Sequence, residues 1–423
     1  MNQPHRLRIC MLSAAHPATD KRIFDKEARS LSEAGYAVTH LCRGEAEGVE
    51  ERDGIAIHTY RRQKGKWRRL WFLPRLRKLA RGLDADVYHC NEPDSWLVGL
   101  SLTLFSSKRV VFDCHEHYAG QVKRWLPRGA RTLGAFLYRL YQGLLAQFTD
   151  AVILAKFSLA RDFAFSARRC HLVLNTTSLR YLPAVRHAGA PEPARFRDSP
   201  FVFVHLGVMR RERGSRVLLE AMRHLADLCE TETAAVDDGE GGQRAMAPFR
   251  VRLIGRIADE PLEAFLAEAQ RKGVADLLEV HEWLPFEQAF QWVRTAHCGL
   301  ILFQSHLGRR KLENNILGMP HKMFDYMLAG LPFIAPRFSP DVRRVARDSE
   351  AGLLLDTNDA RAVARGMKRL MDDAELCARM GFAGQEAVFA RYHWEHDAKV
   401  LLRLYREFEE RARRRGGGAD PPH

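Results

Sequence analysis

The chain has 423 residues and carries 66 Lys and Arg against 52 Asp and Glu, which gives it a net charge of +14. This length favours two domains over one, and 46% hydrophobic with 28% charged residues is the composition of a globular protein, not a disordered or fibrous one. The charge surplus predicts an anionic partner: nucleic acid, an acidic membrane surface or phosphate groups.

The first half of the chain alternates short apolar segments with helical ones. The predicted strands are 7–13, 36–42, 86–90, 109–114, 150–155 and 171–175, and the predicted helices are 20–34, 94–105 and 131–148. Such alternation is typical of βαβ units around a parallel sheet.

A second lobe of the same kind follows residue 200. Its predicted strands are 201–207, 249–255, 277–283, 299–304, 332–336 and 352–356, with helices near 214–228, 260–272, 286–296, 320–330 and 341–348 and a helical segment over 358–414. We therefore expect an α/β protein with two doubly wound lobes, a cleft between them, and ligands outside the carboxyl ends of the strands.

Composition shifts along the chain predict the domain boundaries. Residues 183–200 hold four prolines without an apolar period and are interpreted as a linker, and residues 229–247 are polar and Gly-rich and are interpreted as a disordered insertion. The expected divisions are an N-terminal domain over 1–182, a C-terminal domain over 201–385, helices over 386–414 that pack back on the N-terminal domain, and a disordered tail over 415–423.

The eight cysteines form no C-x-x-C pair, and several, such as Cys298, lie in apolar runs. This pattern predicts buried, reduced thiols and neither a disulfide framework nor a zinc site. The N-terminus has no long apolar stretch, and no run of about 18 apolar residues occurs in the sequence. We expect a cytoplasmic protein without a signal peptide or a membrane-spanning helix.

Two segments of the second lobe suggest a phosphate and a ribose. Residues 206–222 end a strand, pass through a basic loop with Arg210, Arg211 and Arg213, and start a helix, a combination that suits phosphate but also describes a solvated basic turn. On the helix after Pro320, Asp325 lies on one face with His321. That carboxylate can accept hydrogen bonds from both ribose hydroxyls, or it is an ordinary surface Asp.

Together these segments resemble the GT-B glycosyltransferases of the large retaining family 4, or glycosyl transferases group 1. PHKMFDYMLAGLPFIAP (320–336) is similar to the family signature K-x-F-E-Y-M-A-x-G-x-P-V-I. Further similar stretches are 16–38, 86–100, 109–118, 206–222 and 283–303, the first of which is like bacterial members that build surface polysaccharides. The resemblance covers about residues 7–410. It implies two Rossmann-like domains facing a central cleft, with the acceptor bound by the N-terminal domain and a nucleotide-sugar donor by the C-terminal one.

The resemblance also assigns roles to individual residues. Asp325 matches the carboxylate that holds the donor ribose, Arg213 the cation on the donor diphosphate, and Gly207 the glycine that lets the backbone approach that diphosphate. His115 matches a histidine near the donor sugar and the reacting centre, and is our candidate catalytic residue. The other candidates for the donor site are Arg210, Arg211, Asn315, Gly318 and Lys322.

The chain departs from the family pattern at three positions. Asp325 stands where members usually carry Glu, Leu317 stands where a Glu contacts the donor sugar, and Val208 replaces the Arg after the first glycine. Asn314, Asn315 or the Gly318 backbone would then contact the sugar, and Arg210 or Arg211 the diphosphate. These changes favour a divergent subgroup.

The resemblance implies transfer with retention of configuration, in which Arg213 and helix N-termini stabilise the departing diphosphate. No D-x-D pair lies in a strand-end loop, so we expect neither a metal nor another cofactor.

Two strand-end loops of the first lobe add polar candidates. Asp20 is interpreted as a helix cap and His16 as a contact to donor or acceptor. Asn91 and Glu116 are further candidates for contacts in the cleft, and Asp94 is interpreted as a helix cap.

Residues 61–81 hold ten basic residues and no acidic ones, interleaved with tryptophan and leucine. Such a segment is typical of an anionic membrane surface, although a solvated basic helix is the alternative, and no nucleic-acid-binding motif supports a nucleic-acid partner. The predicted membrane-surface residues are Lys66, Trp67, Arg68, Arg69, Trp71, Arg75, Arg77, Lys78 and Trp125.

The sequence therefore favours a glycosyltransferase at the inner face of the cell membrane that adds a sugar to a lipid-linked saccharide, for lipopolysaccharide, capsule or exopolysaccharide. Two alternatives stay open: a sugar-nucleotide 2-epimerase of the same architecture, and an inactive membrane-associated homologue.

Overall fold

The computed structural model describes residues 6–61, 65–123, 126–181, 192–236 and 248–416. The chain forms two compact units, one built from residues up to Asn175 together with those from Trp394 onward, the other from Thr176–His393. In the described residues, none of the helices combines the length and apolar character needed to cross a bilayer.

The first unit is built on an eight-stranded sheet in the order β3-β4-β2-β1-β5-β6-β7-β8. Its strands are parallel except for β3, which pairs antiparallel with β4. The strands are β1 (Arg8–Pro17), β2 (Ala37–Gly44), β3 (Gly48–Arg52), β4 (Ile55–Arg61), β5 (Val87–Cys90), β6 (Arg109–Cys114), β7 (Ala151–Leu154) and β8 (Cys170–Leu172). Strands β3 and β4, which were not predicted, meet at an Asp53-Gly54 turn where both residues have positive φ.

Helices cover both faces of this sheet. They are α1 (Arg29–Glu33), α2 (Lys66–Gly82), α3 (Pro93–Thr103), α4 (Tyr118–Val122) and α5 (Arg131–Gln147), with a π-helical segment over Lys21–Ala28 and 3-10 segments over Arg128–Ala130 and Phe157–Arg169. One apolar core includes buried side chains from α2, α3 and α5. The core that includes Ile23, Phe24 and Leu31 also takes in the last helix, α14 (Trp394–Gly416), through Trp394 and Leu401.

The second unit has a fully parallel six-stranded sheet in the order β11-β10-β9-β12-β15-β16 and a separate hairpin of β13 and β14. The strands are β9 (Phe201–Leu206), β10 (Phe249–Ile254), β11 (Leu278–His281), β12 (Cys298–Leu300), β13 (His306–Leu307), β14 (Arg310–Lys311), β15 (Phe333–Pro336) and β16 (Gly352–Leu355). The helices are α6 (Ser215–Val236), α7 (Leu262–Arg271), α8 (Phe286–Arg294), α9 (Glu313–Ile316), α10 (Lys322–Leu328), α11 (Pro340–Ser349), α12 (Ala360–Asp372) and α13 (Ala374–Ala390).

The structure corrects the predicted domain boundaries. The first unit ends at Asn175 instead of residue 182, and the returning segment begins at Trp394 instead of 386, because α13 packs on α10 within the second unit. The described part of the predicted linker is packed, since Phe196 lies in the core of the second unit and Arg195 donates to three backbone carbonyls.

The predicted insertion also begins too early. Helix α6 continues to Val236, because residues 229–236 contain neither Gly nor Pro to stop it and Cys229 still packs against the core. The rest of that prediction, 237–247, and the predicted tail from 417 onward lie outside the described residues.

The order of the parallel strands across the sheet changes direction at one point in each unit. In the first unit β1 lies between β2 and β5, and in the second β9 lies between β10 and β12. Ligands of doubly wound sheets bind outside the carboxyl ends of the strands at such switch points. The two places to search are therefore the ends of β1, β5 and β6 and the end of β9.

Candidate active site

The switch point of the second unit is marked by a glycine at the end of β9. Gly207 has φ +97, in the left-handed region that favours glycine. Its backbone lies against Gly255, where an added Cβ would come within 2.6 Å of the Gly207 carbonyl oxygen. A Cβ at Gly207 would lie 4.0 Å from Nζ of Lys322, so the backbone at Gly207 and that amino group are neighbours.

The basic loop after Gly207 holds one of its three arginines inward. Arg213 is half-buried, and its Nη1 donates to the carbonyl oxygen of Val208 at 3.0 Å. Burial, then the charge of Arg210, lower the pKa of Arg213, as expected for a cation held near other cations. Arg210 and Arg211 are exposed on the same loop. Arg213 therefore lies against the backbone of the loop, whereas Arg210 and Arg211 face solvent.

Lys322, the first residue of α10, is buried beside His205 of β9. Its Nζ lies 2.9 Å from Nε2 of His205, which accepts this hydrogen bond. Burial, then the positive charge of Arg213, lower the pKa of Lys322 well below its ordinary value, against the opposing charge of Asp325. Burial and the neighbouring Lys322 also keep His205 neutral by lowering its pKa. An anion bound beside Lys322 would raise its pKa again.

Asp325 lies one turn further along α10 and is almost fully buried. Its Oδ2 lies 3.1 Å from Nδ1 of His321, and Nε2 of His321 lies 3.2 Å from the carbonyl oxygen of Thr176. The predicted shared helix face of His321 and Asp325 is thus confirmed. The histidine fixes the orientation of the carboxylate.

Two other predicted donor contacts serve the protein itself. Nδ2 of Asn315 donates to the carbonyl oxygens of Glu212 and Gln304 at 2.7 and 3.0 Å, so its amide hydrogens are not available to a sugar. Gly318 lies against the carbonyl of Asn314, and its own carbonyl accepts from Oγ of Ser339. Both residues brace the α9–α10 turn, which corrects their predicted role as sugar contacts.

In the first unit, a buried carboxylate organises the end of β1. Glu92 accepts hydrogen bonds from the backbone N–H groups of Ala14, Ala15 and His16 at 2.8 to 3.0 Å. It is also the N-cap of α3, in a capping box with Ser95. The prediction that Asp94 caps this helix is wrong, because Asp94 instead pairs with Arg69 of α2.

His16 lies in the same loop, between two carboxylates. Its Nδ1 is 2.8 Å from Oδ2 of Asp20, and its Nε2 is 3.6 Å from Oε1 of Glu92. Burial alone would lower the pKa of His16, but the bond to Asp20 and the charge of Glu92 raise it. Asp20 also accepts from the N–H groups of Arg22 and Ile23, which confirms its predicted role as a helix cap.

His115 follows β6, and its ring lies 5.3 Å from that of His16 between centroids, with the two rings tilted by 48°. Its Nε2 is 2.7 Å from the carbonyl oxygen of Asn91 and its Nδ1 is 3.3 Å from Oδ2 of Asp113. The carbonyl oxygen accepts from Nε2–H, and Nδ1 faces the carboxylate, so both ring nitrogens have neighbours within the protein. Burial lowers the pKa of His115. The structure brings the predicted His16 and His115 together and holds the ring of His115 in place, and its predicted catalytic role stays a prediction.

Asn91 differs from its predicted role at the same edge, whereas the role predicted for Glu116 stays a prediction. The Asn91 side chain is buried and donates to Oγ of Ser13 at 2.9 Å and to the carbonyl oxygen of Leu12. It joins the ends of β1 and β5 and does not reach outward as a ligand contact. Glu116 is half-exposed, with Oε2 3.7 Å from Nζ of Lys156.

Below His115 lies a buried charge cluster that the sequence analysis did not find. Arg22 donates to both oxygens of Asp113 at 2.9 and 2.8 Å and lies 2.9 Å from Oε1 of Glu27. His89 lies 3.5 Å from Glu27, and its Nδ1 is 2.8 Å from the hydroxyl of Tyr405 in α14. A charged residue inside an apolar strand, as in RVVFDC, is the one sequence signal that pointed here.

Glu27, His89 and Asp113 also have the spacing of metal ligands among the described residues. The guanidinium of Arg22 already lies at hydrogen-bond distance from both carboxylates and occupies the space between them as their cation. A divalent cation beside it would be repelled, so these residues do not fit a metal. Burial raises the pKa of Glu27.

The predicted membrane surface is partly engaged in ion pairs. In α2, Arg69 pairs with Asp94, Arg75 with Glu47 at 2.5 Å, and Arg77 donates to Ser101. The exposed members of the predicted set are Arg68, Trp71, Arg75, Arg77 and Lys78, with Trp71 84% exposed. The side chains of Lys66 and Trp67, and Trp125 as a whole, lie outside the described residues.

His205 is the residue of the second unit that the sequence analysis missed. A histidine within the apolar strand FVFVHL, two residues before a glycine, was the available signal. Its partner is 117 residues away, so only the tertiary structure connects His205 with Lys322.

Comparisons with known proteins cover both units. Residues 22–175 match the model of Glycosyltransferase Family 4, and residues 200–373 match that of Glycosyl transferases group 1. Among solved structures, the chain is similar to sucrose-phosphate synthase from Thermosynechococcus elongatus, with a TM-score of 0.69 and 17% identity over 95% of this chain and 99% of that one. It is also similar to Anabaena Alr3699/HepE in complex with UDP, with a TM-score of 0.65 and 11% identity over 95% and 100%.

Two curated relatives share shorter stretches. The chain is 25% identical over 235 residues to D-inositol 3-phosphate glycosyltransferase of Thermobispora bispora, which is 55% of this chain and 47% of the relative. It is 36% identical over 83 residues to phosphatidyl-myo-inositol mannosyltransferase of Mycobacterium leprae, 20% of this chain and 22% of the relative. The chain thus matches less than half the length of these relatives.

The two family models together span most of the chain, and each falls on one parallel-sheet unit. The chain therefore belongs to the GT-B glycosyltransferases of family 4, glycosyl transferases group 1.

Proposed function

We propose that the protein transfers a sugar from a nucleotide-sugar donor, bound at the end of β9, to a lipid-linked saccharide, in the synthesis of a surface polysaccharide. The observation that carries the donor assignment is the convergence of Gly207, Arg213, Lys322 and Asp325 at one switch point. Arg213 precedes Lys322 and Asp325 by more than 100 residues in the sequence, and the three side chains have charges that suit a diphosphate and a ribose.

Each residue has a distinct part in the proposed donor site. Arg213 and Lys322 bind the diphosphate, and Gly207 lets it approach the backbone. Asp325, oriented by His321 at 3.1 Å, accepts from the ribose hydroxyls. Lys322 compensates for Val208, since its ammonium lies next to the same glycine.

In the proposed reaction, the bond between the anomeric carbon and the diphosphate oxygen breaks while a bond to the acceptor oxygen forms. The acceptor proton leaves to the departing phosphate, and the configuration is retained. Arg213 and Lys322 stabilise the charge that develops on the diphosphate, which is the work that a metal does in other transferases. We therefore expect the activity to survive a chelator.

The acceptor is proposed to bind at the ends of β1, β5 and β6. There His16, His115 and Glu116 lie at one edge, braced by Glu92 and Asn91. The exposed basic face of α2 favours a peripheral position on the inner face of an anionic membrane, where a lipid-linked acceptor resides. The two curated relatives are named for inositol-containing substrates, so inositol phosphates are the other acceptor class to assay.

Thermal shift with UDP-, GDP- and CMP-sugars tests the donor site. A ligand that binds only the folded state at about 100 times its Kd adds about 2.7 kcal/mol of stability. UDP-glucose comes first, because HepE has been solved with UDP and glucose. We expect one nucleotide series to raise the Tm of the wild type and not that of Asp325→Asn, which keeps the size of the side chain. Asp227→Asn, an exposed carboxylate on α6, is the control.

Transfer itself is measured as release of nucleoside diphosphate that depends on added acceptor. A Tm shift without such release, together with isomerisation of the donor sugar, would favour the 2-epimerase. Failure of every nucleotide sugar to shift the Tm would contradict the donor assignment and favour an inactive homologue.

A further inference from the structure

The outward face of α5 carries large apolar side chains. Six of them are between 39% and 60% exposed: Leu133, Phe136, Leu137, Leu140, Tyr141 and Leu144. Their spacing of three and four residues places them on one side of the helix. The opposite side carries the buried Ala135, Gln142, Gly143 and Ala146, and the helix packs on α4 and on the 3-10 segment over Phe157–Arg169. Most of the large apolar side chains of the helix are thus exposed, the reverse of an ordinary surface helix, whereas Tyr138 and Leu145 are half-buried.

The apolar surface extends beyond the helix. Phe148 directly after α5 is exposed, and Phe165 is exposed beside Gly143. Leu104 and Phe105, after α3 on the same face of the sheet, are also exposed. Phe105 is 98% exposed and has φ +62, a strained backbone conformation for a bulky residue. Exposed apolar side chains thus occur on α5 and after both α3 and α5, two helices that contribute buried residues to the same core.

The charges on α2 and on the segment that contains α5 indicate which kind of partner suits these exposed apolar side chains. Residues 118–149 contain five basic residues and no acidic one. Helix α2 packs against α3 and has no acidic residue, and it exposes Arg68, Arg75, Arg77, Lys78 and Arg81 together with Trp71. An apolar helix face bordered by cations and an exposed Trp suits the boundary between headgroups and acyl chains of an anionic bilayer. A second copy of this chain would bring the same cations face to face.

We propose that α5 is the surface by which the protein lies on an anionic membrane, with its six large side chains among the lipids and α2 against the headgroup phosphates. This deepens the proposed function, on which it rests for the membrane-bound acceptor. The helix runs between the end of β6, where His115 lies, and the start of β7, so it spans the sheet from its carboxyl edge. Docked on a bilayer, α5 would hold the unit that carries His115 at the membrane surface.

Sedimentation of the full-length protein with vesicles tests this surface. The vesicles contain equal parts of phosphatidylglycerol and phosphatidylcholine, and pure phosphatidylcholine vesicles serve as the neutral comparison. We expect the wild type to bind the anionic vesicles and the double variant Leu137→Ser/Leu144→Ser to bind them about tenfold or more weakly. The matched control, Leu228→Ser/Leu266→Ser, changes two exposed leucines of the second unit and should bind as the wild type does.

Three results would overturn the proposal. Equal binding of wild type and α5 variant would assign the interaction to the basic residues alone. If the wild type did not bind the anionic vesicles, a membrane would be excluded as the partner of this face. A lipid-free dimer that the α5 variant converts to a monomer would make the face a contact between copies.

The donor assay separates this inference from the proposed function. The α5 variant should keep the Tm and the nucleotide-sugar shift of the wild type, because α5 lies in the other unit. Vesicle binding without a nucleotide-dependent Tm shift would contradict the proposed function alone. Such a Tm shift without vesicle binding would contradict this inference alone.

Discussion

Removal of the buried ammonium of Lys322 is the sharpest test of the donor site. Lys322→Met keeps the length of the side chain and deletes its charge. The unliganded variant should melt within a few degrees of the wild type, because a buried ammonium is costly to desolvate and its loss offsets the broken bond to His205. Loss of ligand binding can then be separated from loss of folding.

The expected loss follows from the environment of the Nζ atom. Lys322 is only 9% exposed, so its bond to a diphosphate oxygen would be a charge-assisted bond in a desolvated site. Such bonds contribute about 2 to 3 kcal/mol, which corresponds to roughly 30- to 150-fold in Kd. The exposed Lys311→Met in β14 is the matched control and should leave Kd unchanged.

The pH dependence provides an independent readout. Because the pKa of Lys322 is lowered in the free protein, a bound diphosphate should raise it and draw in a proton. Above about pH 7, where the phosphates are fully charged, wild-type affinity should therefore fall as pH rises, and the variant should show a flatter profile. Calorimetry in buffers of different ionisation enthalpy measures that proton uptake. A variant that binds the nucleotide as tightly as the wild type, with the same pH profile, would refute this account of Lys322.

Three further predictions concern single side chains. Tyr405→Phe removes the 2.8 Å bond to His89 and should cost about 1 to 2 kcal/mol in urea unfolding, whereas an unchanged midpoint would mean that α14 is held by apolar packing alone. His16→Gln should lower stability below about pH 6.5, where the histidine is charged also in the unfolded chain, and this difference should vanish as pH rises through the raised folded pKa; a pH-independent difference would contradict the pairing with Asp20. Gly207→Ala should cost about 1 to 3 kcal/mol, because φ +97 strains any other residue, and should also abolish the nucleotide-dependent Tm shift; a normal Tm would show that the turn can relax.

Much of the fold could be predicted because its segments are locally consistent. The strand over 109–114 and the helix over 131–147 differ from their predicted bounds by at most one residue. The linker and the insertion were misjudged because composition reports local preference only. Phe196 and Arg195 pack into the second unit through contacts with residues about 100 positions away, which no local pattern contains.

The candidate site divides in the same way. Gly207, Arg213 and Asp325 could be assigned from motif resemblance, since a motif keeps neighbours in sequence together. The partners that give these residues their properties, such as His205 beside Lys322 and Thr176 behind His321, come from other strands and loops. For Asn91 and Asn315 the residue type suggested a ligand contact, and burial against backbone carbonyls made them braces.

The sequence by itself determined that 131–148 is an amphipathic helix, because the 3.6-residue period fixes which side chains share a face. It could not determine which face packs against the rest of the unit. The usual expectation turns the large apolar residues inward, yet here Ala135, Gly143 and Ala146 pack inside and Leu137 and Leu144 lie outside. The inner side of α5 faces α4 and the segment Phe157–Arg169, and how closely these elements approach depends on the tertiary structure and not on the local period.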